Sequence, residues 1–471
     1  MPTSHPSGWA HADGALSHNR PGGPTWLREP SDPNEIVPLL WSSTAEKTDG
    51  VLSVGGVAVT DLLEQEGSPA YVLDEADFRA RARAFKDAFA AYDVFYAGKA
   101  FLSTTTVRWL AEEGLHLDVC SGGELTVAER AGFPMARIGY HGNNKTEREL
   151  ARALELGVGR IIVDSFGEIE RLERLTTGTD LRARVMIRIT AGVEAHTHEY
   201  IATAHEDQKF GFSITSGDAL EAVRRVHDAE GVELLGLHSH IGSQIFDSSG
   251  FEVAARRVLA LHARVSEEIG VEMAEMDLGG GFGIAYTTQD DPSDPAQLAT
   301  EMSRIVEHEC KALGITEPRL SIEPGRAIVG PAMCTVYTVG TVKEVALDGG
   351  LVRTYVSVDG GMSDNIRTAL YDADYSATLA NRISVAAPVL ARVVGKHCEA
   401  GDIVVKDEFL PSDIAPGDLV AVPGTGAYCR SMASNYNHAL RPPVIAVRDG
   451  KISVVLRRET EDDLLATDVG A

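Results

Sequence analysis

Lys99 closes the run Val94-Phe95-Tyr96-Ala97-Gly98-Lys99. An apolar stretch that delivers one amine after a glycine sets that amine at the carboxyl end of a strand. There it can lose its proton and form a Schiff base with a carbonyl. The plainer alternative is a lysine snorkelling from a strand end. Other residues at the ends of apolar runs shift the weight. Asp118 and Glu124 flank the end of one run, and Arg188 lies in another. His238-Ser239-His240-Ile241-Gly242-Ser243 ends a third with imidazoles and hydroxyls. Gly279-Gly280-Gly281-Phe282-Gly283 is a turn whose amides can approach an anion closely. Glu323-Pro324-Gly325-Arg326 sets a carboxylate at the end of one more run, where burial is costly unless a cation pairs it.

The chemistry these types share is specific. Gly280, Gly281, the Ser243 hydroxyl and the amides of Gly325 and Arg326 suit a phosphate. The flat ring of His240 can stack on an aromatic cofactor. An amine, a phosphate cradle, a stacking ring and a buried acid together point to pyridoxal phosphate. That cofactor needs an acidic partner on its pyridine nitrogen to act as an electron sink, and Glu323 would supply it.

Further along, Lys396-His397-Cys398-Glu399 puts a small thiol beside an acid, which alone is a half-buried free cysteine. Arg367, near Tyr371, offers a bidentate grip for a carboxylate. Tyr428 follows a glycine-flanked turn and either meets a ligand or caps a strand. His196, His198 and His205, with Glu194, Glu199 and Glu206, have metal-ligand chemistry, but a polar loop near the site is the better reading, and no metal is expected.

These residues need elements to hold them. Runs at Val94–Tyr96, Leu115–Val119, Ala136–Tyr140, Arg160–Val163, Val185–Ile189, Leu234–His240, Glu275–Leu278 and Arg319–Ile322 alternate with segments of helical period. That rhythm over residues 76–330 predicts an α/β fold, a (β/α)8 barrel with its site at the strand carboxyl ends. An open doubly wound sheet fits less well, because the one Gly-rich turn comes late and no ribose-binding acid follows it at the right distance. Residues 331–471 carry closely spaced strand-like runs and turns such as Asp348-Gly349-Gly350 and Asp449-Gly450, which predicts an all-β domain. Residues 49–75 contain Leu52–Val54 and Val57–Val59, expected to join that domain, and residues 1–48 are expected to be a disordered or irregular extension.

Composition narrows the partners. With 43 basic against 69 acidic residues the net charge is -26, which disfavours nucleic acid and anionic membranes. The five cysteines are odd in number and scattered without a C-x-x-C, which argues for a reducing, cytoplasmic compartment. No apolar run approaches a membrane span.

On Tyr96-Ala97-Gly98-Lys99-Ala100, His238–Ser243, Gly279–Gly281, Glu323–Arg326 and Cys398-Glu399, the chain resembles the fold-type III pyridoxal-phosphate-dependent decarboxylases. The likeness spans about residues 50 to 460. It implies an alanine-racemase-like barrel with a β domain, and a homodimer whose active sites are shared across the interface. It implies that Lys99 carries the cofactor, that Asp118, Glu124, Arg188, His240, Ser243, Gly280, Gly281, Glu323, Gly325, Arg326 and Tyr428 surround it, and that Cys398 is a proton donor from the partner subunit. By the same likeness Arg326, Arg367 and Tyr371 hold the distal end of an amino-acid substrate, Glu399 reads its distal amine, and Tyr428 touches both substrate and cofactor. The implied reaction removes one carboxylate of meso-2,6-diaminopimelate to give L-lysine.

Three rivals remain. An ornithine or arginine decarboxylase of the same fold would be expected to offer mainly acids to the distal end, whereas Arg367 beside Glu399 suits a substrate with both charges there. A racemase would need a second base, and Cys398-Glu399 suits a donor better. A non-catalytic pyridoxal-phosphate-binding protein has no reason to keep both Lys99 and Cys398.

Overall fold

The structure is a computed structural model that describes residues 24, 26–191, 209–240, 242–346 and 352–470. The chain forms two compact units. One is the barrel, Arg79–Gly283 with Pro292–Ile328. The other takes the described residues up to Phe78, Ile284–Asp291, and the chain from Val329 onward.

In chain order, β1 (Glu46–Thr48), β2 (Val51–Val54) and β3 (Val57–Ala58) form a small antiparallel sheet. Val59 does not extend β3 as its branched side chain suggests; it opens the helix Val59–Glu66 and is fully buried there. β4 (Ala70–Asp74) is buried at every position. It is the N-terminal strand that enters the large sheet of the β unit, rather than Leu52–Val54 or Val57–Val59. Within the expected irregular extension, Leu40 and Trp41 are buried in the hydrophobic core of this unit with Leu52, Val72 and Ile445.

The barrel strands follow: β5 (Asp93–Ala97), β6 (His116–Val119), β7 (Ile138–Tyr140), β8 (Arg160–Val163), β9 (Ala183–Thr190), the two-residue β10 (Phe212–Ser213), β11 (Val232–Ser239), β12 (Glu275–Asp277) and β13 (Arg319–Ile322). Omitting β10, which pairs only with β9, these eight are parallel and close on themselves through β13–β5 and β8–β9. The expected (β/α)8 barrel is therefore present. Its helices start where short polar side chains can satisfy the free amides of a first turn. Ser103, Ser121, Thr146 and Asp294 each accept a hydrogen bond from a first-turn N–H. The barrel interior is not wholly apolar. Arg160 of β8 is 4% exposed, packs 3.7 Å from the Phe95 ring centroid, donates to Ser321 Oγ at 3.0 Å, and pairs with Asp277 of β12. Asp277 also accepts from Ser321 Oγ and, at 2.7 Å, from the Gly279 amide. A buried ion pair thus fixes the start of the glycine turn above it.

In the β unit, β14 (Met333–Ala346) is long because its two halves serve different neighbours. The buried first half pairs with β4 and β19, and the more exposed second half with β15. The remaining strands are β15 (Val352–Val358), β16 (Thr378–Leu379), β17 (Pro388–Val394), β18 (Ile403–Pro411), β19 (Leu419–Val422), β20 (Val444–Arg448) and β21 (Lys451–Leu456). β20 and β21 form a hairpin over Asp449-Gly450, both with positive φ (50° and 72°), as the two-residue turn requires. Ile284–Asp291 belongs to this unit although it lies inside the stretch read as barrel. The Asp348-Gly349-Gly350 turn and the histidines and glutamates between residues 194 and 206 lie outside the described residues. Among the described residues no helix is long and apolar enough to cross a membrane.

Candidate active site

The carboxyl ends of the barrel strands surround a cavity of about 300 Å³. Its lining includes Lys99 after β5, Asp118 and Glu124 around the end of β6, His141 after β7, Arg188 of β9, His240 after β11 and Glu323 after β13. Val94–Ala97 is buried, whereas Lys99 itself is exposed and faces the cavity. Gly98 makes this possible: a Cβ there would lie 2.6 Å from the Asp118 carbonyl oxygen, so only glycine lets the end of β5 pass so close to β6.

Glu323 is 5% exposed and is the centre of the electrostatics. Its Oε1 lies 2.9 Å from His238 Nε2 and 3.2 Å from His141 Nε2. His141 Nε2 is also 3.2 Å from Asp118 Oδ1. Burial acts to raise Glu323, but His141 and His238 hold its carboxyl well below the usual range, so it is ionised. Burial pushes Asp118 up to about 7, with Glu323 adding to the effect. Burial opposes a charge on His141, yet Glu323 and Asp118 lift it to about 9. Burial keeps His238 below its usual value. The donor atoms of His141, His238 and Glu323 lie within 4.8 Å of one another, but the carboxylate is already engaged by the two rings.

The glycine turn holds the next ring. Gly280 donates its amide to His240 Nδ1 at 3.2 Å, leaving Nε2 to carry the proton of the neutral imidazole. Burial, with Lys99 and Arg188 nearby, holds His240 well below its usual value, so the ring is neutral and suited to stacking. A Cβ at Gly280 would lie 2.4 Å from the Glu323 carbonyl oxygen, and Gly281 has φ +110. Arg326 is 6% exposed and donates to Ser243 Oγ at 2.8 Å, while Gly325 packs against Ala97 and Ala100. Arg188 stacks its guanidinium 4.3 Å from the Phe210 ring centroid. Glu124 lines the cavity while its carboxylate accepts the Cys120 amide at 2.7 Å, closing the start of the helix Gly122–Ala131.

Ser243, Gly280, Gly281, Gly325 and Arg326 belong to the barrel unit but are not among the residues lining this cavity, and neither are the other expected residues, which lie in the β unit. Arg367 begins the helix Arg367–Tyr371, is 5% exposed, donates to the Tyr375 hydroxyl at 2.6 Å, and stacks 4.8 Å from the Tyr286 centroid. Tyr371, half-buried, ends that helix. Cys398 is exposed and Glu399 half-buried in the turn between β17 and β18. Asp402 fixes this turn by accepting the His397 amide at 2.8 Å and the Met362 amide at 2.6 Å. Tyr428 is held at φ 66 after the Gly424–Ala427 turn.

Sequence reasoning overlooked His141, Asn143 and Phe210, which line the cavity, and gave no role to His238, which binds Glu323. For His141 the signal was available: it directly follows the run ending at Tyr140, just past a strand end as Lys99 lies just past its own. Its loop is anchored by Lys145, whose Nζ lies 2.7 Å from Glu168 Oε1 and donates to the carbonyls of Gly142 and Ile162, each at 2.7 Å.

The donor set fits pyridoxal phosphate. An accessible amine, an ionised buried carboxylate, a neutral ring and a glycine, Gly98, with no room for a Cβ meet at one cavity, and the Gly280 amide holds that ring. The fold and cavity define the class, and the family model "Pyridoxal-dependent decarboxylase, pyridoxal binding domain" matches residues 75–330. The diaminopimelate decarboxylase of Mycobacterium tuberculosis is 53% identical over 440 residues, 92% of this chain and 98% of that one. That of Bacillus subtilis is 45% identical over 435 residues, 92% of this chain and 98% of that one. The crystal structure of diaminopimelate decarboxylase from M. jannaschii in co-complex with L-lysine superposes with TM-score 0.84 at 31% identity, covering 91% of this chain and 98% of that one. The chain belongs to the diaminopimelate decarboxylase family of pyridoxal-dependent enzymes.

Proposed function

We propose that the chain carries pyridoxal phosphate on Lys99 and decarboxylates meso-2,6-diaminopimelate to L-lysine and carbon dioxide, the last step of lysine biosynthesis. The observation that carries this reading is the meeting of Lys99 and the ionised Glu323 at one cavity. The bound cofactor supplies an electron sink for the pair left behind when the carboxylate departs. The Glu323 carboxylate keeps a proton on the ring nitrogen. His240, its orientation fixed by the Gly280 amide, would stack on the cofactor ring. Ser243, Gly280, Gly281, Gly325 and Arg326 would hold the phosphate, and Asp118, Glu124, Arg188 and Tyr428 would complete the cofactor shell. We assign to Arg326, Arg367 and Tyr371 the distal carboxylate of the substrate and to Glu399 its distal amine, with Tyr428 touching substrate as well as cofactor. Cys398 Sγ gives its proton to the α-carbon after carbon dioxide leaves.

The exposure of Cys398 on a turn braced by Asp402 supports its delivery from a partner subunit, and so a homodimer with shared sites. The acidic net charge and the scattered cysteines support a cytoplasmic enzyme with no nucleic-acid or membrane partner. Carbon dioxide release measured with meso-diaminopimelate, ornithine, arginine and lysine tests the reading. Release from meso-diaminopimelate with L-lysine as product is expected. Preferential release from ornithine or arginine would assign the chain to the basic amino-acid branch, and no release from any would make it a non-catalytic binder.

A further inference from the structure

We infer that His141 is a positioning residue, an imidazolium clamped between Asp118 and Glu323 that keeps Glu323 ionised and aimed into the cavity. The inference rests on the reading of Glu323 as the partner of the cofactor's ring nitrogen. Its basis is geometric. Two buried carboxylates, 6% and 5% exposed, converge on one ring nitrogen, each at 3.2 Å. Two like charges so close in a buried site cannot both ionise without a cation beside them. Glu323 Oε1 has one further ring, His238 Nε2 at 2.9 Å, but that ring is fully buried and held neutral by burial, so it donates a hydrogen bond without a charge.

The groups that act on this cluster come from several strands. Asp118 and Glu323 face His141 directly, and the His238 ring meets it edge-on with centroids 5.1 Å apart. Asp277 adds negative charge toward Asp118 and His238 but is itself paired to Arg160. Arg188 acts on Glu323, and Lys99 acts on His240. His141 is therefore the cation in contact with both carboxylates. Its backbone is held in turn: the His141 amide donates to the Val119 carbonyl at 2.8 Å, and Lys145 pins the adjoining Gly142 carbonyl.

The test uses the full chain in two states. In the cofactor-free protein, nitrogen-15 NMR of labelled histidine should show both His141 ring nitrogens protonated at pH 7, with deprotonation near pH 9. In the cofactor-loaded enzyme, His141→Gln keeps a donor but removes the charge. It should raise the acid limb of the kcat/KM profile by about one to three pH units, as loss of a contacting opposite charge does. The protonation of the bound cofactor, read by visible absorbance, should shift over the same range. A neutral His141 at pH 7, or a His141→Gln profile that overlays the parent, would overturn the inference. If His141→Gln does not fold, the NMR titration of the parent protein decides alone. Glu323→Gln separates the two readings: if it leaves cofactor absorbance and turnover intact, the role of Glu323 fails, while the His141 titration is judged on its own result.

Discussion

Replacing Lys145 by methionine removes a cation that is 2% exposed and bonded to three acceptors, all at 2.7 Å. Its partner Glu168 is fully buried. Burial pulls Lys145 down and pushes Glu168 up, each toward its neutral form, so the pair stabilises the fold only while both partners are present. Breaking a buried pair from one side costs about 3–5 kcal/mol. The orphaned carbonyls of Gly142 and Ile162 push toward the upper end, since an unsatisfied buried acceptor costs about 1–3 kcal/mol. Protonation of Glu168 relieves part of this, so we expect a loss of about 4 kcal/mol, a large share of a typical stability of about 5–15 kcal/mol. Urea unfolding followed by circular dichroism should show the midpoint falling by about 1.3–4 M, given slopes of about 1–3 kcal/mol/M. The double variant Lys145→Met with Glu168→Leu should recover most of the stability, because an apolar pair of similar volume replaces a buried ion pair at little cost. It should not recover kcat/KM, since the Gly142 carbonyl next to His141 still lacks its anchor. A single variant that loses less than about 0.5 kcal/mol, the range of an ordinary surface change, would refute the reasoning. So would a double variant with full activity.

Gly98→Ala should weaken pyridoxal phosphate binding at least about tenfold, read by absorbance titration, and destabilise the fold by about 1–3 kcal/mol, because its Cβ would lie 2.6 Å from the Asp118 carbonyl oxygen. The stability of the cofactor-free protein should fall as pH rises from 6.5 through about 9. His141 is raised to about 9 in the folded state, so the native form holds the extra proton, and the contribution is complete below 6.5 and lost above 9. That loss is about 3 kcal/mol at 1.36 kcal/mol per unit, and thermal melts of His141→Gln should lack it. Asp118, raised to about 7 by burial, adds a loss of the same sign between 3.8 and 7. Cys398→Ala should lower kcat far more than it changes substrate affinity, and equal losses in both would remove its role as proton donor. Mixing inactive Lys99→Ala and Cys398→Ala proteins should restore about a quarter of the sites if each site draws on two subunits of a symmetric dimer; no recovery after subunit exchange would place Cys398 in its own subunit's site.

Residues just past the ends of apolar strands were legible. Lys99, His240 and Glu323 follow runs whose β-branched and aromatic content announces a strand, and a barrel puts every such end at one rim. His141 occupies the same kind of position after the run Ala136–Tyr140, but nothing in that run marks its role, because its partners Asp118 and Glu323 are joined to it only by barrel closure. β4 was hidden for a similar reason: five buried residues pair with β14 and β20, both far along the chain. The passage of Ile284–Asp291 into the β unit is set by packing, with Ala285 in the core of that unit. Periodicity carries no trace of such a crossing. The roles of Arg367, Tyr371, Cys398, Glu399 and Tyr428 came from the family motif rather than from their surroundings. Arg367 in particular is engaged with Tyr375 and Tyr286, a pairing that its position in sequence does not announce.

The central claim is that Lys99 is the amine that holds the cofactor. Borohydride treatment of the pyridoxal-phosphate-loaded enzyme, followed by proteolysis and mass spectrometry, tests it most directly. The account predicts a phosphopyridoxyl group fixed on the peptide that carries Lys99, and none in Lys99→Ala. A group fixed on another lysine, or an adduct that persists at full yield in Lys99→Ala, would contradict it.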